Sequence, residues 1–463
     1  MSIKLDWEIE AEQSHQVQAA GEDPVTKRQR RVAWLRVLVF IALVLVIVGA
    51  IALLIIWRLR SVDQEIEQLL RNTVDAEVAA LRIGDLNAFL AAQCSATDDW
   101  LLSQQAVFDA YQGLKLEHDL ELTGRILNVM IEGSRARVQV EEIIDGTPYT
   151  RTWFYWRYQD DRCQGWRHVP PDYTFWGELR TYVGDGVTVR YRTVDNPVAA
   201  AVGLRVEEWL RLGCAALSCP EDRPEVLVEI VPDDTLQIGW SLNDPWLLQL
   251  PSPYVTRARS DLPFELGAQI QVANLVAERL VSQATNNVQP TYPADAYYLR
   301  QAMISWLVGR FTEMDTHSFL IMSLAQNYGD ESVGRLAQTM QPASDVRVLN
   351  QVTGASSLEQ ANLDWRDFLT WRLVVEDELI ARRDESNFLA LYDTNDEAVR
   401  NQAYERFNTT PTDERKVVVA VQLEADANGV PQLRAVAHAG EGASLRQEEV
   451  LFRLVDGVWK RAN

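Results

Sequence analysis

"FYWRYQDDRCQGWRHV" (Phe154–Val169) and, closing the sequence, "LFRLVDGVWKRAN" (Leu451–Asn463) follow one pattern: an aromatic-rich strand, an acidic turn, then Trp followed by basic residues. Upstream of the first lies "GDLNAFLAAQ" (Gly84–Gln93) and upstream of the second "RDESNFLALYD" (Arg383–Asp393). Setting Phe89 on Phe388 also sets Asp85 on Asp384, so the echo spans a whole folding unit. Each copy opens with a helix, in the first with apolar residues at Val78, Leu81, Leu86, Phe89 and Leu90. A second helix follows, "DDWLLSQQAVFDAYQ" in one copy and "DEAVRNQAYERF" in the other. Strands close each unit: "RILNVMIEG", "RARVQVEEII" and "TRTWFYWRYQ" first, then "KVVVAVQLEA", "PQLRAVAHAG" and "EEVLFRLVDG". Asp456-Gly457 has the residues that a tight hairpin turn needs. Helices followed by a curled antiparallel sheet make an α+β unit.

These two stretches resemble nuclear-transport-factor-2-like domains, also called SnoaL-like cone domains, over residues 74–177 and 380–463. The resemblance implies a cone whose mouth can hold a small apolar ligand; some members are enzymes, and many only bind or pair. The His-Asp arrangement of the enzymatic members is not evident here. Period-two alternation on the strand places Trp153, Tyr155 and Arg157 on one face and Phe154, Trp156 and Tyr158 on the other. The first set is the candidate ligand pocket, an aromatic wall with one guanidinium suited to an aromatic or anionic ligand. The competing reading has these rings filling the core while Arg157 reaches the rim. His168, at the end of the hairpin, reads as a surface residue.

Between the copies, residues 178–379 form a third region. "GVTVRYRTVDNPVAAAVGLRVEEWLRLGC" reads as a strand running into a helix, and "PEVLVEIVPDD" and "TLQIGWS" as further strands. Helical blocks follow: "ELGAQIQVANLVAERLVSQ", "YPADAYYLRQAMISWLVGRF", "SFLIMSLAQNYGDESVGRLAQTM" and "LEQANLDWRDFLTWRLVVEDELIARR". The last reads from its pattern as running straight into the second cone, which would fix the angle between the two. "SFLIMSLAQNYGDESVGRLAQTM" followed by "VTGASSLEQANLDWRDFLTWRL" resembles the closing part of the peptidase MA-like (gluzincin) fold, over residues 185–375. Such a peptidase needs His-Glu-x-x-His on one helix and a Glu on the next, two imidazoles and a carboxylate converging on zinc. The matching helices are Glu265–Val281 and Ala294–Phe311. The first carries Gln269, Gln271 and Asn274 and no His, and Gly309 stands about where the ligand Glu belongs. His15, His118, His168, His317 and His438 are the only histidines, and no two share a helical face. Neither zinc ligands nor peptidase activity carries over, so no catalytic residue, metal ligand or cofactor is assigned. No Gly-x-Ser-x-Gly elbow or phosphate-cradling Gly-rich loop is present, and the Asp-Asp pairs suit caps and turns.

"VLVFIALVLVIVGAIALLIIW" (Val37–Trp57) is 21 residues without a charge. As a helix it spans about 31 Å, enough to cross a hydrocarbon core. Trp34 and Trp57 stand where interfacial aromatics belong. Lys27, Arg28, Arg30, Arg31 and Arg36 precede the span, and Arg58, Arg60 and Arg71 follow it, which predicts an inside N-terminus. The expected order is a cytoplasmic tail (1–33), a transmembrane helix (34–57), a juxtamembrane helix (58–73), a cone (74–177), a degenerate peptidase MA-like domain (178–379) and a second cone (380–463). The expected class is thus α+β with one N-terminal membrane helix. The net charge of −22 argues against nucleic acid as a partner, because counterion release needs clustered Lys and Arg. In an oxidising compartment Cys94 and Cys163 are one candidate disulfide and Cys214 and Cys219 another.

These readings predict a signal-anchored, single-pass protein of a bacterial cell membrane with a large extracytoplasmic region. Its expected role is non-catalytic binding or scaffolding, a pseudoenzyme whose protein or small-molecule partner is unknown. The alternatives are an extracytoplasmic hydrolase or peptidase with an unrecognised site, and a signalling protein whose tail, "KLDWEIEAEQ", meets a cytoplasmic partner.

Overall fold

The computed structural model describes residues 24–95, 97–160, 163–220, 223–409, 416–440 and 445–463. Most of the expected cytoplasmic tail, up to residue 23, therefore lies outside the described residues. The protein is mixed α+β, 51% helical and 24% strand.

Helix α1 (Pro24–Ile83) runs for 60 residues without a break. Every residue from Val37 to Trp57 is exposed, whereas Leu70, Val74, Val78 and Leu81 further along are buried. Those four recur every three or four residues and so share one face. Residues 58–73 contain no Gly or Pro, which is why the stretch expected as a separate juxtamembrane helix simply continues the helix. The helix stops at Gly84, whose φ of +80° is the left-handed conformation that glycine tolerates. Asp85 then caps α2 (Leu86–Ala91), accepting the Ala88 N–H.

The chain divides into two compact units. One takes residues up to Gln112 with Met130–Ala136 and Tyr155–Val169; the other takes Gly113–Val129, Arg137–Phe154 and Pro170–Asn463. The first unit holds α1, α2 and most of α3 (Asp98–Glu117), with the Phe89 and Phe108 rings 5.6 Å apart. Strands β1 (Leu120–Glu121), β2 (Ile126–Glu132), β3 (Arg135–Ile144), β4 (Thr147–Gln159) and β5 (Gln164–Val169) belong to one sheet.

In the second unit, β6 (Leu179–Gly184), β7 (Val187–Arg192), β8 (Val226–Val231), β9 (Gly239–Trp240) and β10 (Leu247–Pro251) form a sheet in the order β6-β7-β8-β10-β9. β7, β8 and β10 are parallel neighbours. A parallel pair needs a crossover, which α4 (Asn196–Leu217) supplies between β7 and β8. Val187, Val189 and Tyr191, then Val226, Val228 and Ile230, are buried with the period of a strand. Val198, Val202, Val206 and Trp209 give α4 its buried face. Gly203 is required there, because a Cβ would lie 2.4 Å from the Tyr182 ring. The short β11 (Ala258–Arg259) pairs with Thr150 and Tyr149 of β4.

Helices α5 (Leu266–Ala284), α6 (Asp295–Thr312), α7 (Phe319–Tyr328), α8 (Glu331–Thr339), α9 (Val348–Thr353) and α10 (Arg366–Arg382) follow. The block from Ser318 to Met340 is two helices, separated at Gly329, where φ is +83°. Arg383 ends α10 in the left-handed conformation, and Asp384 caps α11 (Glu385–Ala390) through the Asn387 N–H. The same pair of devices stands at Gly84 and Asp85. After α12 (Glu397–Phe407), β12 (Lys416–Ala425), β13 (Pro431–Ala439), β14 (Arg446–Val455) and β15 (Val458–Arg461) form an antiparallel meander. Val375, Leu379 and Ile380 of α10 share a core with Phe388, Tyr392, Val399 and Phe407, so α10 is built into the C-terminal part of the fold.

Candidate functional site

On β4 the structure buries Trp153, Phe154 and Tyr155 in succession and leaves Arg157 half-buried and Trp156 exposed. Burial at that point does not alternate, because both faces of the strand are covered. The Tyr155 hydroxyl donates to Glu77 Oε2 at 2.8 Å. Glu77 is fully buried on α1, and its Oε1 accepts Gln93 Nε2 at 2.9 Å and meets His168 Nδ1 at 2.7 Å. His168 is therefore buried, not a surface residue as its place at the end of a hairpin suggested. It is drawn in by Glu77 and lies against the Tyr155 and Trp100 rings at 5.2 and 5.6 Å. Burial and the neighbouring carboxylate push the Tyr155 phenol well above its ordinary pKa.

A second buried carboxylate, Glu376 on α10, occupies the corresponding place in the other copy. Glu77 and Glu376 are 299 positions apart, as are Phe89 and Phe388, and Phe108 and Phe407. Trp166 and Trp459 are 293 apart, as are His168 and Arg461. Parallel bridges join Gln93 to His168 and, at the matching positions, Tyr392 to Arg461. Glu376 Oε2 accepts the Tyr392 hydroxyl at 3.2 Å and pairs with Arg461 Nη1. Arg461 also reaches Glu448 at 3.3 Å, which Lys416 meets at 2.9 Å. Each copy thus ties its long helix to its last strand through a buried Glu and a base, His in one and Arg in the other. A single Glu within a helix reads from sequence as surface, so only the 299-residue offset could have singled these out.

Cys94 and Cys163 are joined in a disulfide, as are Cys214 and Cys219. Of the residues that the sequence reading set against zinc ligands, the Gln269 side chain donates to the Phe264 carbonyl at 2.6 Å, Glu265 precedes α5, and Glu278 lies 3.5 Å from Arg300. His317 is exposed and faces Asp315 at 3.3 Å. Among the described residues no group of three or more His, Cys, Asp or Glu side chains is arranged to hold a metal ion.

A cavity of about 590 Å³ opens in the second unit between α6, the Thr316–Phe319 segment, α10 and β12. Phe319, Trp371, Val374, Val417 and Val419 give it an apolar wall, and Asp367 and Gln301 contribute polar groups. Asp367 Oδ1 accepts the N–H groups of Leu320 and Phe368, both at 3.1 Å. Burial raises its pKa to about 6, against the lowering effect of the Tyr298 hydroxyl and of those backbone donors. The Arg366 guanidinium also lines the cavity, where it pairs with Asp364 at 2.7 Å and lies 3.7 Å over the Phe319 ring. Trp153, Tyr155 and Arg157 do not line this cavity.

Compared with family models, with curated proteins and with solved structures, the chain matches none.

Proposed function

We propose that this chain is a single-pass membrane protein with a large extracytoplasmic region that binds or scaffolds without catalysis. In this reading two cone domains flank a degenerate peptidase MA-like domain. One observation carries it. The apolar belt from Val37 to Trp57 is exposed throughout, yet lies on the same unbroken helix as Leu70, Val74, Val78 and Leu81, which are buried. Soluble proteins rarely leave so large an apolar surface in water, and a bilayer is the solvent that suits it. The paired Glu77 and Glu376 clusters and the two equivalent helix caps support a duplicated cone. The non-catalytic part draws support from Gln269 and Glu278, whose side chains make structural bonds where a peptidase would place zinc chemistry.

The full chain should stay with the membrane pellet through alkaline carbonate washing, and deleting residues 24–57 should release it. A full-length chain extracted by carbonate alone would contradict the anchor.

A further inference from the structure

The cavity between α6, α10 and β12 carries a more specific reading of what is bound. We infer that it is a binding site for a small organic cation, an ammonium on an aromatic or branched apolar body, with Asp367 facing the charge. The inference rests on the binding reading above but not on the membrane anchor.

Size comes first. A space of about 590 Å³ lies within the range of small-molecule pockets and holds a single-ring ligand comfortably. Its wall is aromatic and branched-aliphatic, the lining that an apolar body needs. Trp371 belongs to a ring cluster: Tyr298 stands 5.2 Å from it and Phe368 5.8 Å. An indole face is also the side chain most attractive to a cation.

Charge selects the head group. Asp367 is bonded by neutral donors only, the Leu320 and Phe368 N–H groups, with the Tyr298 hydroxyl beside it. The nearest guanidinium in sequence, Arg366, is shared between Asp364 and Phe319. Asp295, a buried Asp of the same unit, is matched by Arg372 at 2.6 Å. Asp367 thus differs from Asp295 in having no guanidinium bonded to its carboxylate: Arg366 lines the same open cavity and feels the Asp367 charge, but its own bonds go to Asp364. A carboxylate ligand would meet the Asp367 charge and find Arg366 already paired with Asp364, and a neutral ligand would leave Asp367 without an ion pair. An ammonium supplies the missing partner, and the rings and valines take the rest of the molecule.

The test uses the full chain in nanodiscs and three probes of one shape: 2-phenylethylammonium, 2-phenylethanol and 3-phenylpropionate, followed by calorimetry and Trp fluorescence. The ammonium should bind saturably at one site and at least tenfold more tightly than the alcohol or the acid. Asp367→Asn keeps an oxygen for the Leu320 N–H and should erase the ammonium's advantage over the alcohol. Val417→Trp, which fills the cavity from β12, should abolish binding of the ammonium while leaving the melting profile of the first unit unchanged. Absence of saturable ammonium binding, equal affinity for the acid, or full binding by Asp367→Asn would overturn the site. Chemical turnover of a probe would instead overturn the non-catalytic reading on which it rests.

Discussion

The two buried carboxylates should respond differently to the same substitution, because Glu376 faces the permanently charged guanidinium of Arg461 and Glu77 an imidazole, a hydroxyl and an amide. Glu376→Gln removes the anion beside Arg461, a guanidinium whose side chain is only 7% exposed. Stranding a buried charge costs about 3–5 kcal/mol. Glu448 remains 3.3 Å away as a partial substitute, which places the expected loss near the lower end, about 3 kcal/mol. Glu77→Gln leaves the Tyr155 hydroxyl, the Gln93 amide and the His168 ring around a carboxamide oxygen. With no guanidinium stranded, the loss is that of weakened buried hydrogen bonds, about 1–2 kcal/mol. Native-state amide exchange separates the two effects, since residues 70–81 report on the first cluster and residues 369–380 on the second. Glu376→Gln should lower the opening free energy of 369–380 by more than Glu77→Gln lowers that of 70–81. Equal losses, or a larger loss at 70–81, would refute the reasoning.

Two further outcomes follow from the same coordinates. Cys94 and Cys163 close a loop 69 residues apart in sequence, Cys214 and Cys219 one of 5, so Cys94→Ser should cost about 4 kcal/mol and Cys214→Ser about 2; denaturant melts in oxidising buffer read both losses, which should vanish under reductant. The Asp367 carboxyl, with its folded pKa raised to about 6, binds its proton more tightly in the folded state, so its contribution is favourable at pH 4 and is lost as pH rises through 6. Relative to wild type, Asp367→Asn should therefore gain about 2 kcal/mol in stability between pH 4 and pH 7 in urea titrations of the ligand-free chain; a flat difference would contradict the shift.

Much of the architecture was legible because it rests on local signals. The uncharged run from Val37 to Trp57 and the Asp85/Asp384, Phe89/Phe388 and Trp166/Trp459 landmarks all declare themselves within a few residues. Helix continuity was harder to read. The α1 helix absorbs residues 58–73 because nothing there breaks it. Tertiary burial was hardest. His168 reads as exposed at a hairpin end, and only the distant Glu77 explains why it is buried. Alternation on β4 failed at Trp153–Tyr155 because a strand covered on both faces carries no period-two signal. The Asp367 cavity joins residues from Tyr298 to Val419 and has no compact sequence signature.

The central claim is that α1 crosses a membrane with its basic end inside and the folded units outside. Protease added to intact cells or spheroplasts measures this directly, with one tag at Met1 and another after Asn463. The account predicts loss of the C-terminal tag and of the folded region while the Met1 tag stays protected until the membrane is opened. Protection of the C-terminal tag with loss of the Met1 tag would contradict the orientation.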